Sequence, residues 1–152
     1  MHKDIKEILY TEEEIKAKCD ELAKQIDQDY AGQEILLVGL LKGYSGVESK
    51  TLVVRQDIKE DIRGKNVLIV EDILDTGKTL YNVKEMLEKR HAKSVKIVTL
   101  LDKEEGRVFD MKADYSGFKI PNAFVVGYGL DFNERYRQLP YIGILKEDCY
   151  KK

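Results

Sequence analysis

Three acidic residues and a short polar turn follow an apolar run, and their types and spacing suit the binding of a sugar phosphate. Residues 67–70 (VLIV) lead into Glu71 and Asp72, Asp75 comes three residues later, and residues 76–79 read TGKT. Carboxylates accept hydrogen bonds from sugar hydroxyls and also ligate Mg²⁺. Without such a role, these acids would repel a bound phosphate. The string therefore predicts a ligand that carries both a sugar diol and a phosphate, accompanied by Mg²⁺.

The turn favours phosphate binding through its backbone. If a helix begins here, the amides from Asp75 to Thr79 face the ligand, and Gly77 permits its close approach. The hydroxyls of Thr76 and Thr79 add donors. The tripeptide GKT resembles the end of a Walker A loop, but that loop requires a glycine where this chain has Asp72. A P-loop nucleotidase is thereby disfavoured, and an acidic turn that only caps a helix is the plainest alternative.

These residues need a sheet to position them, and the hydrophobic pattern predicts one. The runs EILLVGL (a strand predicted over residues 35–40), NVLIV and SVKIVTLL are typical of strands buried on both faces. Between the last two, Leu80, Val83 and Leu87 recur at helical spacing. Alternating strands and helices predict an α/β fold with a mainly parallel sheet flanked by helices, in which ligands bind at the carboxyl ends of the strands.

The flanking segments are predicted as one helix and several shorter strands. Thr11 and Glu14 have the spacing of a capping box, and Ile15, Cys19 and Leu22 then recur on one helical face. The segments AFVVGYGLD and YIGILK are predicted strands. TLVVRQDI is either a strand or part of a mobile loop. The first element in chain order is expected to be the helix.

Length and composition limit the class of protein. The 152 residues suit one domain, predicted over 1–152, and the 43% of hydrophobic residues suit a packed core. The net charge of −2 does not favour nucleic-acid binding. No apolar run resembles a signal peptide or a membrane span, so we expect a cytoplasmic protein. Cys19 and Cys149 lie too far apart in sequence for a redox or metal-binding pair motif.

The segment VLIVEDILDTGKT resembles the motif with which phosphoribosyltransferases bind phosphoribosyl pyrophosphate (PRPP). Other segments resemble the hypoxanthine-guanine branch of the family. LLVGLLKG is similar to its pyrophosphate loop, SVKIVTLLDK to its purine-reading segment, and IPNAFVVGYGLDFNERYRQLPYIGIL to its hood and metal-binding segment. The resemblance covers nearly the whole chain. It implies a type I phosphoribosyltransferase core with a small hood formed by the C-terminal and N-terminal parts.

The resemblance also implies a role for individual residues. Asp75 would be the general acid/base near the purine. The residues that would bind PRPP or nucleotide are Lys42, Gly43, Glu71, Asp72, Asp75, Thr76, Gly77, Lys78, Thr79 and Arg137. Those that would contact the purine are Lys103, which would donate to its exocyclic oxygen, Phe124, which would stack on it, Val125 and Asp131. The metal ligands would be Glu71, Asp72 and Asp131.

The reaction implied is the transfer of the phosphoribosyl group of PRPP to hypoxanthine or guanine, which yields IMP or GMP and pyrophosphate, with Mg²⁺ as cofactor. The resemblance also implies a homodimer or homotetramer. An alternative from another class is a non-catalytic nucleotide-binding or RNA-binding regulatory module on the same fold.

Taken singly, several of these residues have plainer explanations. Lys103 precedes Glu104 and Glu105, which is typical of a surface ion pair. Phe124 and Val125 suit an ordinary core. Asp131 and Arg137 suit a structural salt bridge. The functional interpretation depends on their joint occurrence in the order of the family.

One stretch departs from the family pattern. After Gly43 the family continues through a helix and a strand, whereas this chain runs directly into YSGVESKTLVV. The missing piece corresponds to about 20–30 residues, one helix and one strand by average element lengths. Tyr44 matches either the tyrosine of the mobile catalytic loop or a position in the pyrophosphate loop. Whether turnover is impaired by the gap is left open by the sequence.

Overall fold

Seven strands and two long helices are found in residues 1–39 and 61–151, the part of the chain that the computed structural model describes. The strands are β1 (Ile5–Tyr10), β2 (Ile35–Gly39), β3 (Asn66–Leu74), β4 (Ser94–Asp102), β5 (Tyr115–Lys119), β6 (Val125–Val126) and β7 (Ile142–Leu145). The helices are α1 (Glu12–Asp29) and α2 (Lys78–Lys89), with short 3₁₀ turns at Glu104–Gly106 and Glu147–Cys149. The predicted strand or loop at residues 51–58 lies outside the described residues.

The chain divides into two compact units, Lys24–Pro121 and Met1–Ala23 with Asn122–Lys152. That residues 1–152 act as one domain stays a prediction. The larger unit, Lys24–Pro121, is called the core unit below, and the other is called the hood unit.

The core unit contains the predicted parallel sheet. Its strand order is β2-β3-β4-β5, and all three strand pairs are parallel. Leu80, Val83 and Leu87 of α2 pack against the apolar side chains of β3 and β4, including Val67 and Ile69. The apolar runs of β3 and β4 therefore form largely buried strands, and the helical spacing between them marks the face that covers the sheet. The prediction that β2 is buried on both faces was wrong, since Leu37 is 63% exposed at the edge of the sheet. The α/β prediction is confirmed.

Strand β3 extends further than predicted. The apolar run predicted that β3 ends at Val70, with Glu71 and Asp72 after it, but pairing with β4 continues to Leu74 opposite Asp102. The reason is that Ile73 and Leu74 restore an apolar run after the two acids, and Leu74 is fully buried. The two acids thus lie within the last residues of the strand, where the sheet backbone fixes them.

The hood unit contains a second sheet, with the antiparallel order β1-β7-β6. Strand β1 was not predicted, and the expectation that a helix comes first was wrong. Of the residues of β1 only Ile5 is buried, and the charged residues between its apolar positions obscure the alternation. Strand β5 was missed in the same way, because YSGFK has no apolar run.

Helix α1 begins with the predicted capping box. The Thr11 amide donates to Glu14 Oε1 at 3.0 Å, and the Glu14 amide donates to Thr11 Oγ1 at 3.3 Å. Ile15 and Leu22 are buried as predicted, whereas Cys19 is exposed. The apolar face is therefore narrower than the sequence predicted. Across the described ranges, none of the helices has the length and apolar character needed to span a membrane.

Within the hood unit, the buried Tyr136 forms a hydrogen bond with Asp4 near the N-terminus. The Tyr136 hydroxyl donates to Asp4 Oδ2 at 2.8 Å. Burial, followed by this hydrogen bond, raises the pKa of Tyr136 to about 12. The same hydrogen bond is the main reason that the pKa of Asp4 lies below its ordinary value of 3.8.

We expect Tyr136→Phe to lower the melting temperature at neutral pH. A carboxyl whose pKa is lowered by folding contributes stability above its unfolded pKa and loses it as the pH falls through its folded pKa. The difference between Tyr136→Phe and the unaltered chain should therefore shrink as the pH falls below 3.8. Thermal unfolding across this range measures it, with Tyr128→Phe, at an exposed position of the same unit, as the control. A difference that stays constant with pH would contradict the account.

Candidate active site

The two acids at the end of β3 are held by the backbone that follows them. The Asp72 amide donates to Glu71 Oε1 at 2.9 Å, and the Ile73 amide donates to Asp72 Oδ1 at 2.7 Å. Glu71 is 5% exposed and Asp72 is half-buried. Carboxylates fixed by main-chain donors are preorganised acceptors for hydroxyl groups or ligands for a hard cation.

The turn between β3 and α2 presents backbone donors. Gly77 precedes the first residue of α2 and has a φ of 87°, a left-handed conformation that favours glycine. The Lys78 amide donates to Thr76 Oγ1 at 3.3 Å. Within residues 1–39 and 61–151, the amides of Thr76, Gly77 and Thr79 have no acceptor. Such donors at a helix N-terminus suit an anion, as the sequence predicted.

Asp75 and Lys103 are brought together from two different strands. The Lys103 amide donates to the Leu74 carbonyl at 2.9 Å, which extends the β3–β4 pairing by one residue. Lys103 Nζ then lies 3.5 Å from Asp75 Oδ2, with the lysine side chain 11% exposed and the aspartate side chain 48% exposed. The alternative was a surface ion pair with Glu104 or Glu105. Lys103 does not lie at the surface, and Glu104 pairs with Lys119 at 2.9 Å.

Two residues beside this pair were missed by the sequence analysis. Asp102 is 4% exposed at the end of β4, and its carboxylate accepts from Arg107 and, at 2.8 Å, from Ser116 Oγ. In sequence both residues belong to the charged run DKEEGR, which is typical of a solvated surface. The one available signal was the position of Asp102 at the end of a buried strand.

The remaining predicted residues lie in the hood unit. Phe124 is half-buried and stacks on Tyr150 with a centroid distance of 4.9 Å, and Val125 is buried in β6. Arg137 Nη2 lies 3.5 Å from Asp131 Oδ2, so the predicted salt bridge is present. The surrounding loop has several non-glycine residues with positive φ, a conformation often found at functional sites; they are Tyr128, Asn133, Glu134 and Tyr136.

The predicted site residues thus fall into two groups. The core unit contains Glu71 and Asp72 and the turn at residues 75–79, called the phosphate turn below. It also brings Asp75 next to Lys103. The hood unit joins Asp131 to Arg137 and contains Phe124. Lys42 and Gly43 lie outside the described residues.

Comparison with known proteins decides the family. The sequence profile of the phosphoribosyl transferase domain matches residues 44–133. A hypoxanthine-guanine phosphoribosyltransferase from Streptococcus pneumoniae is 45% identical over an alignment that covers 99% of this chain and 98% of that protein. The chain belongs to the hypoxanthine-guanine phosphoribosyltransferase family. Its resemblance to the type I phosphoribosyltransferases, expected from the sequence motifs, is confirmed.

Solved structures of this family have the same fold. A hypoxanthine phosphoribosyltransferase from Staphylococcus aureus superposes with a TM-score of 0.87 at 42% identity and covers 100% of this chain and 97% of its own. The Trypanosoma cruzi hypoxanthine phosphoribosyltransferase in complex with the product IMP gives a TM-score of 0.85 at 36% identity and covers 99% of this chain and 95% of its own.

The comparison also measures the predicted gap. The alignment with the Streptococcus pneumoniae phosphoribosyltransferase spans 177 positions, whereas this chain has 152 residues, so at least 25 positions have no counterpart here. Since the alignment covers nearly all of both chains, these positions are internal. The size agrees with the loss of about one helix and one strand. That the gap follows Gly43 stays a prediction.

Proposed function

We propose that this phosphoribosyltransferase transfers the phosphoribosyl group of PRPP to hypoxanthine or guanine, with IMP or GMP and pyrophosphate as products. The observation that carries the proposal is the arrangement at the end of β3. In a chain of this family, three features follow one another there. They are two carboxylates held by backbone amides, a turn with amides that lack an acceptor among the described residues, and an aspartate–lysine pair.

The ribose and the 5′-phosphate of the donor are assigned to the core unit. Glu71 and Asp72 would accept hydrogen bonds from the ribose hydroxyls, which carboxylates do well in a partly buried position. The backbone from Asp75 to Thr79 would bind the 5′-phosphate, helped by the positive end of the α2 dipole. The Lys78 side chain is exposed and would add positive charge beside this phosphate. Lys42, Gly43 and Arg137 are proposed to contact the pyrophosphate.

The family resemblance proposes four purine contacts, each with its own chemical reason: Lys103, Phe124, Val125 and Asp131. Lys103 is an ammonium with three donors, so its contact with Asp75 leaves others for the exocyclic oxygen of a 6-oxopurine. Adenine presents an amino group at that position, and two donors do not pair. Phe124 would stack on the base, Val125 would contact its edge through backbone groups, and Asp131 would lie beside it.

The chemistry at the ribose follows from these assignments. The purine nitrogen attacks C1 of the ribose while pyrophosphate departs, and positive charge develops on the sugar ring. Asp75 would take the proton that the purine loses as its nitrogen becomes glycosylated. The fixed acids near the ribose would stabilise the developing charge, and correct positioning of both reactants would supply much of the rate.

Mg²⁺ is the proposed cofactor, and the residues fit it. Glu71 and Asp72 are consecutive carboxylates at the end of β3, and carboxylate oxygen is the ligand type that Mg²⁺ prefers. Over the described ranges, no group of three or more acidic, histidine or cysteine side chains is placed to hold a metal ion. This fits an ion that keeps several waters and is completed by oxygens of PRPP. Asp131 is the proposed ligand of a second ion, and bound Mg²⁺ would neutralise charge on the leaving pyrophosphate.

We further propose a cytoplasmic homodimer or homotetramer. PRPP, the nucleotide products and pyrophosphate carry phosphate charges and do not cross membranes unaided. Oligomer formation would also cover sheet surface such as Leu37 of β2, which is 63% exposed.

A product assay tests the proposed function. Purified protein is incubated with hypoxanthine, guanine, xanthine or adenine, with and without PRPP and Mg²⁺, and nucleotide is quantified by chromatography. We expect IMP or GMP only when PRPP and Mg²⁺ are both present, and no AMP. The internal gap motivates the alternative of a module that binds nucleotide without turnover. Binding of GMP with no product from any 6-oxopurine would support that module and refute the enzyme.

A further inference from the structure

Two successive carbonyl groups of the phosphate turn are held by one neighbouring segment, residues 107–109. Arg107 Nε donates to the Asp75 carbonyl at 3.0 Å. The amides of Val108 and Phe109 both donate to the Thr76 carbonyl, at 2.9 and 3.0 Å. Segment 107–109 therefore fixes the two peptide groups that join Asp75 to Thr76 and Thr76 to Gly77.

The orientation of these carbonyls determines the orientation of the next amides. In a trans peptide the C=O and N–H groups of one unit point in opposite directions, and the described chain has no cis peptide. Since the Asp75 and Thr76 carbonyls point at segment 107–109, the Thr76 and Gly77 amides point away from it. These are two of the amides that have no acceptor among the described residues.

Arg107 is itself held in place by a buried acid. Its Nη2 donates to the Asp102 carboxylate, and its Nη1 donates to the Met111 carbonyl at 2.8 Å. The side chains of Arg107 and Asp102 are 12% and 5% exposed. Because the guanidinium is a rigid planar fork, three acceptors around it leave one orientation for Nε.

The side chains of Arg107 and Met111 also pack directly against the turn. A Cβ placed on Gly77 would lie 2.8 Å from Met111 Sδ and 3.2 Å from Arg107 Cδ. There is no room for the turn to settle toward Arg107, so the contact and the hydrogen bonds together define one conformation.

We propose that Arg107 is a positioning residue for phosphate binding, which rests on the function proposed above. Arg107 does not touch the ligand. It holds the Asp75 carbonyl from behind, with Asp102 as its anchor, and thereby keeps the Thr76 and Gly77 amides directed at the 5′-phosphate of the nucleotide.

Binding of GMP and of guanosine, which differ only in the 5′-phosphate, tests this role without requiring turnover. Arg107→Ala should weaken GMP binding by about ten- to hundredfold, as expected when hydrogen bonds to a charged group are misdirected. Guanosine binding should stay within about twofold. Isothermal titration calorimetry measures both, and circular dichroism with thermal unfolding checks the fold. Lys112→Ala removes an exposed positive charge from the same loop and should alter neither ligand.

A second variant, Arg107→Lys, keeps the test valid if Arg107→Ala does not fold. Arg107→Lys keeps a positive charge beside Asp102 but cannot bond to three acceptors, so it should show the same selective loss of GMP. Equal weakening of GMP and guanosine by a folded variant would overturn the positioning role, and so would unchanged GMP binding. If the unaltered protein bound GMP no more tightly than guanosine, the phosphate site and the proposed function would be wrong as well.

Discussion

Asp75→Asn should lower the rate of nucleotide formation by about 10²- to 10⁴-fold while the affinity for PRPP changes by less than about tenfold. Asparagine has nearly the shape of aspartate and keeps an oxygen that Lys103 Nζ, 3.5 Å from Asp75 Oδ2, can contact. It cannot accept the proton that the purine loses. The loss therefore falls on the chemical step and not on the binding of the donor.

Steady-state kinetics and PRPP titration separate the two effects. Asp110→Asn removes an exposed acid from the same unit and is the matched control, with activity expected to stay unchanged. Circular dichroism and thermal unfolding check the fold of Asp75→Asn. The Asp75 side chain is 48% exposed, but Lys103, 11% exposed, loses its charged partner and keeps only the asparagine oxygen, so we expect a folded protein of lower stability. Equal losses in rate and in PRPP affinity would contradict an acid/base role and would make Asp75 a binding residue.

Lys103→Met should lower kcat/KM for hypoxanthine by about ten- to hundredfold, the usual cost of losing a hydrogen bond from a charged donor. Methionine is similar in length, so the largely buried position stays filled. PRPP affinity should change little, since the proposed contact of Lys103 is with the purine. The preference for 6-oxopurines over adenine should fall as well, because it is the ammonium donor that favours an oxygen.

Lys119→Met is the control for Lys103→Met. Lys119 also forms an ion pair, with Glu104 at 2.9 Å, but its side chain is 73% exposed. Surface pairs of this kind contribute little, so the control should behave as the unaltered chain. Competition assays with hypoxanthine and adenine measure the preference. An unchanged kcat/KM for hypoxanthine in Lys103→Met would remove Lys103 from the purine site.

The sequence was sufficient for the parts of the fold that follow one strong local pattern. Strand β3 has a continuous apolar run, and α2 has buried residues at helical spacing, Leu80, Val83 and Leu87. Strands β1 and β5 have neither a continuous apolar run nor a clear alternation. Their pairing with β7 and β4 is decided by the sheets that they join and not by their own residues. The end of β3 was misplaced because two acids interrupt its apolar run.

The site was predictable only where it is local in sequence. Glu71, Asp72 and the turn up to Thr79 form one string and were recognised as a unit. The contact of Asp75 with Lys103 joins residues 28 positions apart, and no local pattern shows that Lys103 leaves the solvated charge run to reach Asp75.

Arg107 and Asp102 also could not be predicted as part of the site from the local sequence. Their burial depends on the pairing of β4 with β5, which brings Ser116 to the Asp102 carboxylate. The sequence around them is charged and typical of an exposed loop. Only the fold shows that this loop supports the backbone of the phosphate turn.

Amide chemical shifts of the ¹⁵N-labelled protein during titration with GMP test the central claim most directly, with guanosine as the reference ligand. If the ribose phosphate lies where β3 gives way to α2, the amides of Thr76, Gly77 and Thr79 should shift with GMP and stay nearly unchanged with guanosine. Saturable GMP binding that leaves these three amides unmoved, with the shifts located elsewhere in the chain, would contradict the account.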